Sequence, residues 1–72
     1  MANRHFVICV RNDGYAASLE IRKVYERIPD ALAESRGQVR VIDETGDDYL
    51  FPTDYFKPIE LSREAETAFE LP

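Results

Sequence analysis

The feature that most constrains this chain is a short run from Phe6 to Val10 in which every residue is apolar. Alternate side chains of a strand point to opposite faces. The run therefore presents Phe6, Ile8 and Val10 on one face and Val7 and Cys9 on the other. Because both faces are apolar, it predicts a strand that is covered on both sides.

Glycine and proline divide the rest of the chain into equally short segments. A second strand is predicted over residues 19–28, and a slip in its apolar alternation indicates a bulge or bend. Pro29 ends that strand because it has no N–H for the ladder. Asp30 is a predicted N-cap for a helical turn over 31–36, and Gly37 suits the left-handed position that follows.

The later segments read as a hairpin and one further strand. Strands are predicted over 38–43 and 48–51, joined by a turn in which Gly46 supplies a positive φ. A last strand is predicted over 55–61, interrupted by Pro58.

From Ser62 onward the pattern changes to that of either a short helix, with Ser62 as its N-cap, or a frayed tail. We therefore expect a small β domain over residues 1–61 and a C-terminal tail over 62–72.

Five short strands with one helical turn predict a small antiparallel barrel. The order Phe51, Pro52, two variable residues, Tyr55 and Phe56 resembles the end of a Src-homology 3 domain, where it forms a helical turn between the last two strands. The resemblance implies an all-β, five-stranded Src-homology-3-like barrel. It also implies that Pro52 and Tyr55 stand where that family binds proline-rich peptides. The chain has no Trp, on which that groove depends.

A longer stretch, residues 29–61, resembles small bacterial proteins with a barrel of this type. Its characteristic run extends from Arg40 to Pro52 and continues through Tyr55 and Phe56. No activity is assigned to those proteins, so the resemblance implies a fold and a bacterial origin only.

Charge and cysteine content narrow the class of function. Nine Lys and Arg residues face fourteen Asp and Glu residues, a net charge of -5, which disfavours general phosphate neutralisation and anionic lipid surfaces. The apolar run near the N-terminus is too short for a signal-peptide core or a membrane span. A single cysteine, Cys9, is typical of a reducing compartment, so we expect a cytoplasmic protein.

Catalysis is not expected from the residues available. His5 and Cys9 lie four residues apart, roughly 13 Å along a strand, which is too far for a nucleophile and its base. Cys9 is predicted to be a core residue, and we expect no enzyme activity, metal or cofactor. The acidic residues of the hairpin are predicted to form a solvated tip: Asp43, Glu44, Asp47 and Asp48.

The aromatic residues carry the predicted function, a protein- or peptide-binding module. Its candidate binding residues are Tyr15, Tyr49, Pro52 and Tyr55, because half-exposed tyrosines are favoured at interaction surfaces. The resemblance places Tyr15 and Tyr55 on one face. Leu50 is a core candidate, so alternation turns Tyr49 to the other side of its strand.

The alternative prediction is a small barrel that binds nucleic acid through exposed Tyr and basic side chains. It requires the basic residues to gather on one face. The candidates for such a patch are Arg22, Lys23, Arg27, Arg36 and Arg40. The oligomeric state does not follow from the sequence.

Overall fold

The computed structural model describes residues 4–70, so residues 1–3 and 71–72, at the outer ends of the two predicted segments, lie outside the described residues. The described chain alternates strands with short helical segments. In order, these are β1 (His5–Cys9), β2 (Val24–Ile28), α1 (Ala31–Ser35), β3 (Gln38–Ile42), β4 (Asp48–Pro52), a 3-10 turn (Thr53–Tyr55), β5 (Phe56–Ile59) and α2 (Arg63–Glu70).

The five strands form one antiparallel sheet in the order β4-β3-β2-β1-β5. The predicted hairpin is confirmed, since Val39 pairs with Phe51 and Val41 pairs with Tyr49. Gly46 turns this hairpin with a φ of 86°. Within residues 4–70, β4 and β5 are the sheet edges and do not pair with each other. The mostly-β antiparallel prediction is therefore confirmed, and closure into a barrel stays a prediction.

The two short helices begin at their predicted caps. The Ala33 N–H donates to the Asp30 carboxylate over 3.0 Å, and the Ala65 N–H donates to the Ser62 hydroxyl over 3.1 Å. Gly37 follows α1 with a φ of 74°, as its predicted left-handed position requires. The C-terminal segment thus forms a helix over the described residues 63–70.

The predicted second strand is wrong over residues 19–23, because β2 begins only at Val24. The predicted bend is found at Arg22, whose φ of 71° is a left-handed conformation outside regular strand geometry. Its N–H donates to the Cys9 carbonyl over 2.7 Å, which holds this turn against β1. The last strand is also shorter than predicted, since Tyr55 belongs to the 3-10 turn and β5 begins at Phe56.

One face of the sheet, together with Leu19 from the loop between β1 and β2, encloses the core. Cys9 is fully buried there, as predicted. The buried cluster consists of Val7, Cys9, Leu19, Tyr25, Val39, Val41, Phe51 and Phe56. Phe6 is also buried, on the opposite face of β1, whereas Val10 is 43% exposed. The prediction that the run from Phe6 to Val10 is covered on both sides therefore holds at Phe6 and fails at Val10, which lies just beyond β1.

Two predictions about the hairpin are wrong. Leu50 is not a core residue: it is 36% exposed, because the register places it opposite Arg40 on the outer face while Phe51 points inward. Asp43 is not part of a solvated tip, since it is only 6% exposed. Its carboxylate accepts from the Thr45 N–H over 2.8 Å and from the Thr45 hydroxyl, which stabilises the start of the turn.

Leu19 and Ile21 test whether residues 19–23 form a turn or a continuous strand, because strand alternation would give both side chains the same environment. Leu19 is fully buried and Ile21 is 49% exposed. We expect Leu19→Ala to lower the free energy of unfolding by about 3 kcal/mol and Ile21→Ala to change it by less than about 0.5 kcal/mol. Urea denaturation of both variants checks this, and equal losses would restore the continuous strand.

Candidate functional site

Tyr15 and Tyr55 come from distant parts of the chain and lie together in the structure. Tyr15 belongs to the loop between β1 and β2, and Tyr55 ends the 3-10 turn. Their ring centroids are 5.9 Å apart in an edge-to-face arrangement. Tyr15 also meets the buried Phe51 ring edge-on at 5.1 Å. These contacts fix the exposed Tyr15 ring against the core.

Tyr55 ties the 3-10 turn to the beginning of that loop. Its hydroxyl donates to the Asp13 carbonyl over 2.8 Å, and its own carbonyl accepts from the Val10 N–H over 2.8 Å. The Arg11 guanidinium lies over its ring at 5.3 Å. Tyr55 is half-buried and packs on the core. The structure therefore gives Tyr55 a clear positioning role, which holds Tyr15 in place.

Tyr15 and Tyr49 line one cavity of about 290 Å³, which we call the tyrosine cavity. Tyr49 lies on the same strand face as Phe51, two residues along β4. Tyr15 is 39% exposed and Tyr49 is 51% exposed, so both rings are accessible to a ligand. The described residues that line it are Tyr15, Ser18, Asp43, Thr45, Tyr49, Leu50 and Phe51.

The four predicted site residues do not all meet at this cavity. Among the described lining residues, neither Pro52 nor Tyr55 is present. Pro52 is half-buried at the end of β4, and Tyr55 supports the cavity through Tyr15. Sequence analysis missed Asp43 and Thr45 as lining residues. Their spacing, an Asp two residues before a Thr in a turn, is a signal for local side-chain capping that could have indicated their ordered position.

Glu44 connects the cavity's hairpin to the loop on the other side. The Tyr25 hydroxyl donates to the Glu44 carboxylate over 2.6 Å, and Lys23 donates to the same carboxylate over 2.8 Å. The Tyr25 oxygen in turn accepts the Glu20 N–H over 2.7 Å. The Glu44 N–H donates to the Ser18 carbonyl over 3.1 Å. These bonds hold the loop and the hairpin in one arrangement beside the cavity.

The same contacts shift the titration of the groups involved. The hydrogen bond from Lys23, followed by that from Tyr25, lowers the pKa of Glu44 below its ordinary value. Burial, followed by the hydrogen bond to Glu44, raises the pKa of Tyr25 above its ordinary value. In the folded state, Glu44 is therefore favoured as a carboxylate and Tyr25 as a neutral phenol.

The basic residues proposed for nucleic-acid binding are mostly engaged with carboxylates. Lys23 contacts Glu44 and Glu20. Arg27 contacts Glu34, and Arg40 bridges Asp30 and Asp48. Of the five candidates, Arg22 and Arg36 alone make no ion pair within residues 4–70. Since a phosphate would compete with these carboxylates, the charge arrangement gives the nucleic-acid alternative little support.

A larger depression of about 470 Å³ lies between β5 and the start of α2. Its walls carry both signs of charge, including Arg4, Arg27, Glu60 and Glu66. The Arg4 guanidinium donates to the Glu26 carboxylate and to the Glu66 carbonyl. Arg4 thereby links α2 to the sheet, and the depression lies along this internal contact.

Cys9 is poorly placed to act as a nucleophile. Its thiol donates to the Arg11 carbonyl over 3.2 Å, and burial raises its pKa above the ordinary value. A raised pKa disfavours the reactive thiolate. Within residues 4–70, no group of three or more His, Cys, Asp and Glu side chains is placed to hold a metal ion.

Comparison of the chain with protein-family models, with curated proteins and with solved structures gives no significant match. Across the described residues, no helix combines the length and apolar character needed to cross a membrane.

The Glu44 contacts predict how stability depends on pH. A carboxylate with a lowered folded-state pKa contributes stability above its ordinary pKa of about 4.3. That contribution is lost as the pH falls through the folded-state value. We expect Glu44→Gln to flatten the acid side of the stability profile, as measured by urea unfolding between about pH 3 and pH 6.

Asp47→Asn is the matched control for Glu44→Gln, because Asp47 is an exposed carboxylate of the same hairpin with no ion pair among the described residues. An equal flattening by both variants would contradict the role of Glu44.

On the alkaline side, the raised pKa of Tyr25 predicts that the free energy of unfolding falls as the pH rises above about 10. We expect Tyr25→Phe to remove the part of this decline that comes from ionisation of Tyr25.

The Tyr55 hydroxyl provides a separate test of how Tyr15 is positioned. Tyr55→Phe removes the bond to the Asp13 carbonyl and keeps the ring contacts. We expect a loss of about 1 kcal/mol in the free energy of unfolding and faster amide exchange at Tyr15. Tyr49→Phe is the control, since Tyr49 makes no hydroxyl bond within the described chain. Unchanged exchange at Tyr15 in Tyr55→Phe would show that the ring contacts suffice.

Proposed function

We propose that this protein is a non-catalytic interaction module that binds an extended peptide segment of a partner protein through the tyrosine cavity. The observation that carries the proposal is that two exposed rings, Tyr15 and Tyr49, line one cavity, and that Tyr15 packs edge-on against the buried Phe51. Rigid aromatic side chains provide large contact areas at a low cost in conformational entropy. A cavity of about 290 Å³ has room for one apolar side chain of a peptide.

The charge around the cavity favours a segment with basic residues. Exposed carboxylates lie on neighbouring turns: Asp47 makes no ion pair among the described residues, and Asp13 and Asp54 share the single Arg11 guanidinium at 2.8 and 3.8 Å. The chain carries a net charge of -5. Opposite charge on the partner raises the association rate and excludes acidic competitors. The expected ligand therefore combines an apolar anchor with flanking Lys or Arg.

The finer description of the fold belongs to the same proposal. Strand order β4-β3-β2-β1-β5 and a 3-10 turn between β4 and β5 support a Src-homology-3-like barrel. The position of Tyr55 in that turn supports the resemblance seen in the sequence. The buried free thiol of Cys9 supports a reducing, cytoplasmic location. Binding differs from that family's groove, because Tyr15 and Tyr49 replace the Pro52 and Tyr55 positions as contact residues.

The test is selection of binding peptides from a phage-displayed library of random linear peptides against the full chain. We expect enrichment of basic peptides with an apolar anchor. Tyr49→Ala should weaken binding of the enriched peptides by about 2 kcal/mol, about thirtyfold in affinity. The thermal midpoint of this variant should change little, since the Tyr49 side chain is half exposed.

Leu32→Ala is the matched control for Tyr49→Ala, because Leu32 is 63% exposed on α1, away from the cavity. Affinity that survives both Tyr15→Ala and Tyr49→Ala would overturn the proposal. Failure to enrich any peptide, together with oligonucleotide binding that is lost in Arg36→Ala, would favour the nucleic-acid alternative.

A further inference from the structure

The two edge strands of the sheet differ in the hydrogen-bonding groups that they expose. In an antiparallel pair, successive residues direct their backbone N–H and C=O groups alternately toward the partner and away from it. The backbone hydrogen bonds at the ends of each edge strand therefore determine which of its residues face outward.

On β4, the outward-facing residues are Asp48, Leu50 and Pro52. The Asp43 N–H donates to the Asp47 carbonyl over 3.0 Å, and the Thr53 N–H donates to the Gly37 carbonyl over 3.0 Å. These bonds bracket the β3–β4 ladder and set its alternation. Tyr49 and Phe51 therefore bond to β3, while the N–H groups of Asp48 and Leu50 point away. Within residues 4–70, neither outward N–H has a hydrogen-bond acceptor.

On β5, the corresponding positions offer no donor. The Val10 N–H donates to the Tyr55 carbonyl, which directs Lys57 toward β1 and turns Phe56 and Pro58 outward. The Phe56 N–H already donates to the Thr53 carbonyl, and Pro58 has no N–H. An edge closed by proline and flanked by lysine is a common protection against unwanted strand pairing.

On β4 the outward-facing proline, Pro52, stands at the end of the strand, so the centre of this free edge carries no such protection. Tyr49 and Leu50, the residues at that position, are both exposed and apolar in character. Proteins usually avoid an open edge with exposed apolar side chains, because it recruits other strands. A sheet with one closed edge and one edge that is open at its centre has a single place where a further strand can be added.

We propose that the free edge of β4 binds a basic, extended peptide segment of a partner protein as a sixth strand of the sheet. This inference rests on the proposed function, because the tyrosine cavity adjoins the same strand. Alternate side chains of the added strand would point toward the Tyr49 face, where the cavity accepts an apolar anchor. The Asp48 and Leu50 amides would bind the backbone of the peptide.

Charge favours a basic peptide over a second copy of this chain. Asp47 lies at one end of the free edge and makes no ion pair among the described residues, and Asp54 lies just beyond the other end, exposed and 3.8 Å from the Arg11 guanidinium. An antiparallel pairing of two β4 strands would place Asp47 of one copy near Asp54 of the other. Each copy also carries a net charge of -5. Like charges at both ends oppose self-pairing, whereas Lys or Arg at the ends of a peptide would be attracted.

The first test uses the unmodified chain and the peptides enriched in the display selection. Amide exchange by NMR should be fast at Asp48 and Leu50 in the free protein and slow at Tyr49 and Phe51. Addition of an enriched peptide should slow exchange at Asp48 and Leu50 at least tenfold and leave Tyr49 and Phe51 slow. Peptides that bind without protecting these two amides would overturn strand addition and leave the cavity proposal standing.

The second test compares two substitutions at one position. Leu50→Pro removes the outward N–H without breaking a bond to β3, a substitution that edge strands tolerate. Leu50→Ala shortens the side chain and keeps the N–H. We expect Leu50→Pro to lower the affinity for the enriched peptides by at least about tenfold. The loss of affinity in Leu50→Ala should be several-fold smaller.

Three results would overturn the proposal. Equal losses in the two Leu50 variants would assign the effect to the side chain. Concentration-dependent protection of Asp48 and Leu50 without peptide, accompanied by dimerisation, would identify a second copy as the occupant. Failure of every library peptide to bind would remove both the strand addition and the cavity proposal. Should Leu50→Pro not fold, the exchange measurement on the unmodified chain decides alone.

Discussion

The contact between Phe51 and Phe56 joins the two strands that hydrogen bonding leaves apart. Phe51 lies on β4 and Phe56 on β5, and their ring centroids are 6.0 Å apart in an edge-to-face arrangement. Because these strands do not pair in the described part of the chain, the contact between them in the core is made by side chains. Phe56 also meets Tyr25 at 6.4 Å. Such aromatic pairs contribute roughly 0.5–1.5 kcal/mol beyond their buried area.

The candidate site is an outward continuation of the same aromatic packing. Tyr15 rests edge-on against Phe51, and Tyr55, in the turn between the two phenylalanines, holds the loop that carries Tyr15. Packing against the core therefore fixes the position of the exposed Tyr15 ring. This explains why a small domain can present an ordered cavity without a deep pocket. It also explains why Tyr55 supports the candidate site mainly by positioning Tyr15 and not as an exposed contact residue.

The sequence predicts local features well, since they depend on nearby residues. Asp30 and Ser62 cap their helices as expected, and Gly46 turns the predicted hairpin. Cys9 is buried in the core, as the apolar run around it indicates. Each of these features is determined by side-chain chemistry within a few residues, which pattern and spacing express directly.

The wrong predictions involve long-range constraints. Leu19 and Ile21 alternate like strand residues, yet the left-handed backbone at Arg22 is held by a bond to Cys9, thirteen residues earlier. Leu50 is apolar, but its exposure follows from the register with Arg40. The partners of Glu44 are likewise distant, so the contacts that order the loop beside the cavity have no signature in the local sequence.

The same distinction applies to the strand edges and explains why function depends on register here. Pro58 is visible in the sequence as an interruption, but only its outward orientation on β5 makes it a closure of that edge. Tyr49 and Leu50 have the pattern of an ordinary strand, but their place on the opposite edge leaves both side chains at the cavity and the Leu50 amide without an acceptor among the described residues. A shift of one residue in the β3–β4 register would exchange the two faces of β4 and move Tyr49 away from Tyr15. The hairpin turn set by Asp43 and Gly46 therefore determines where the candidate site can exist at all.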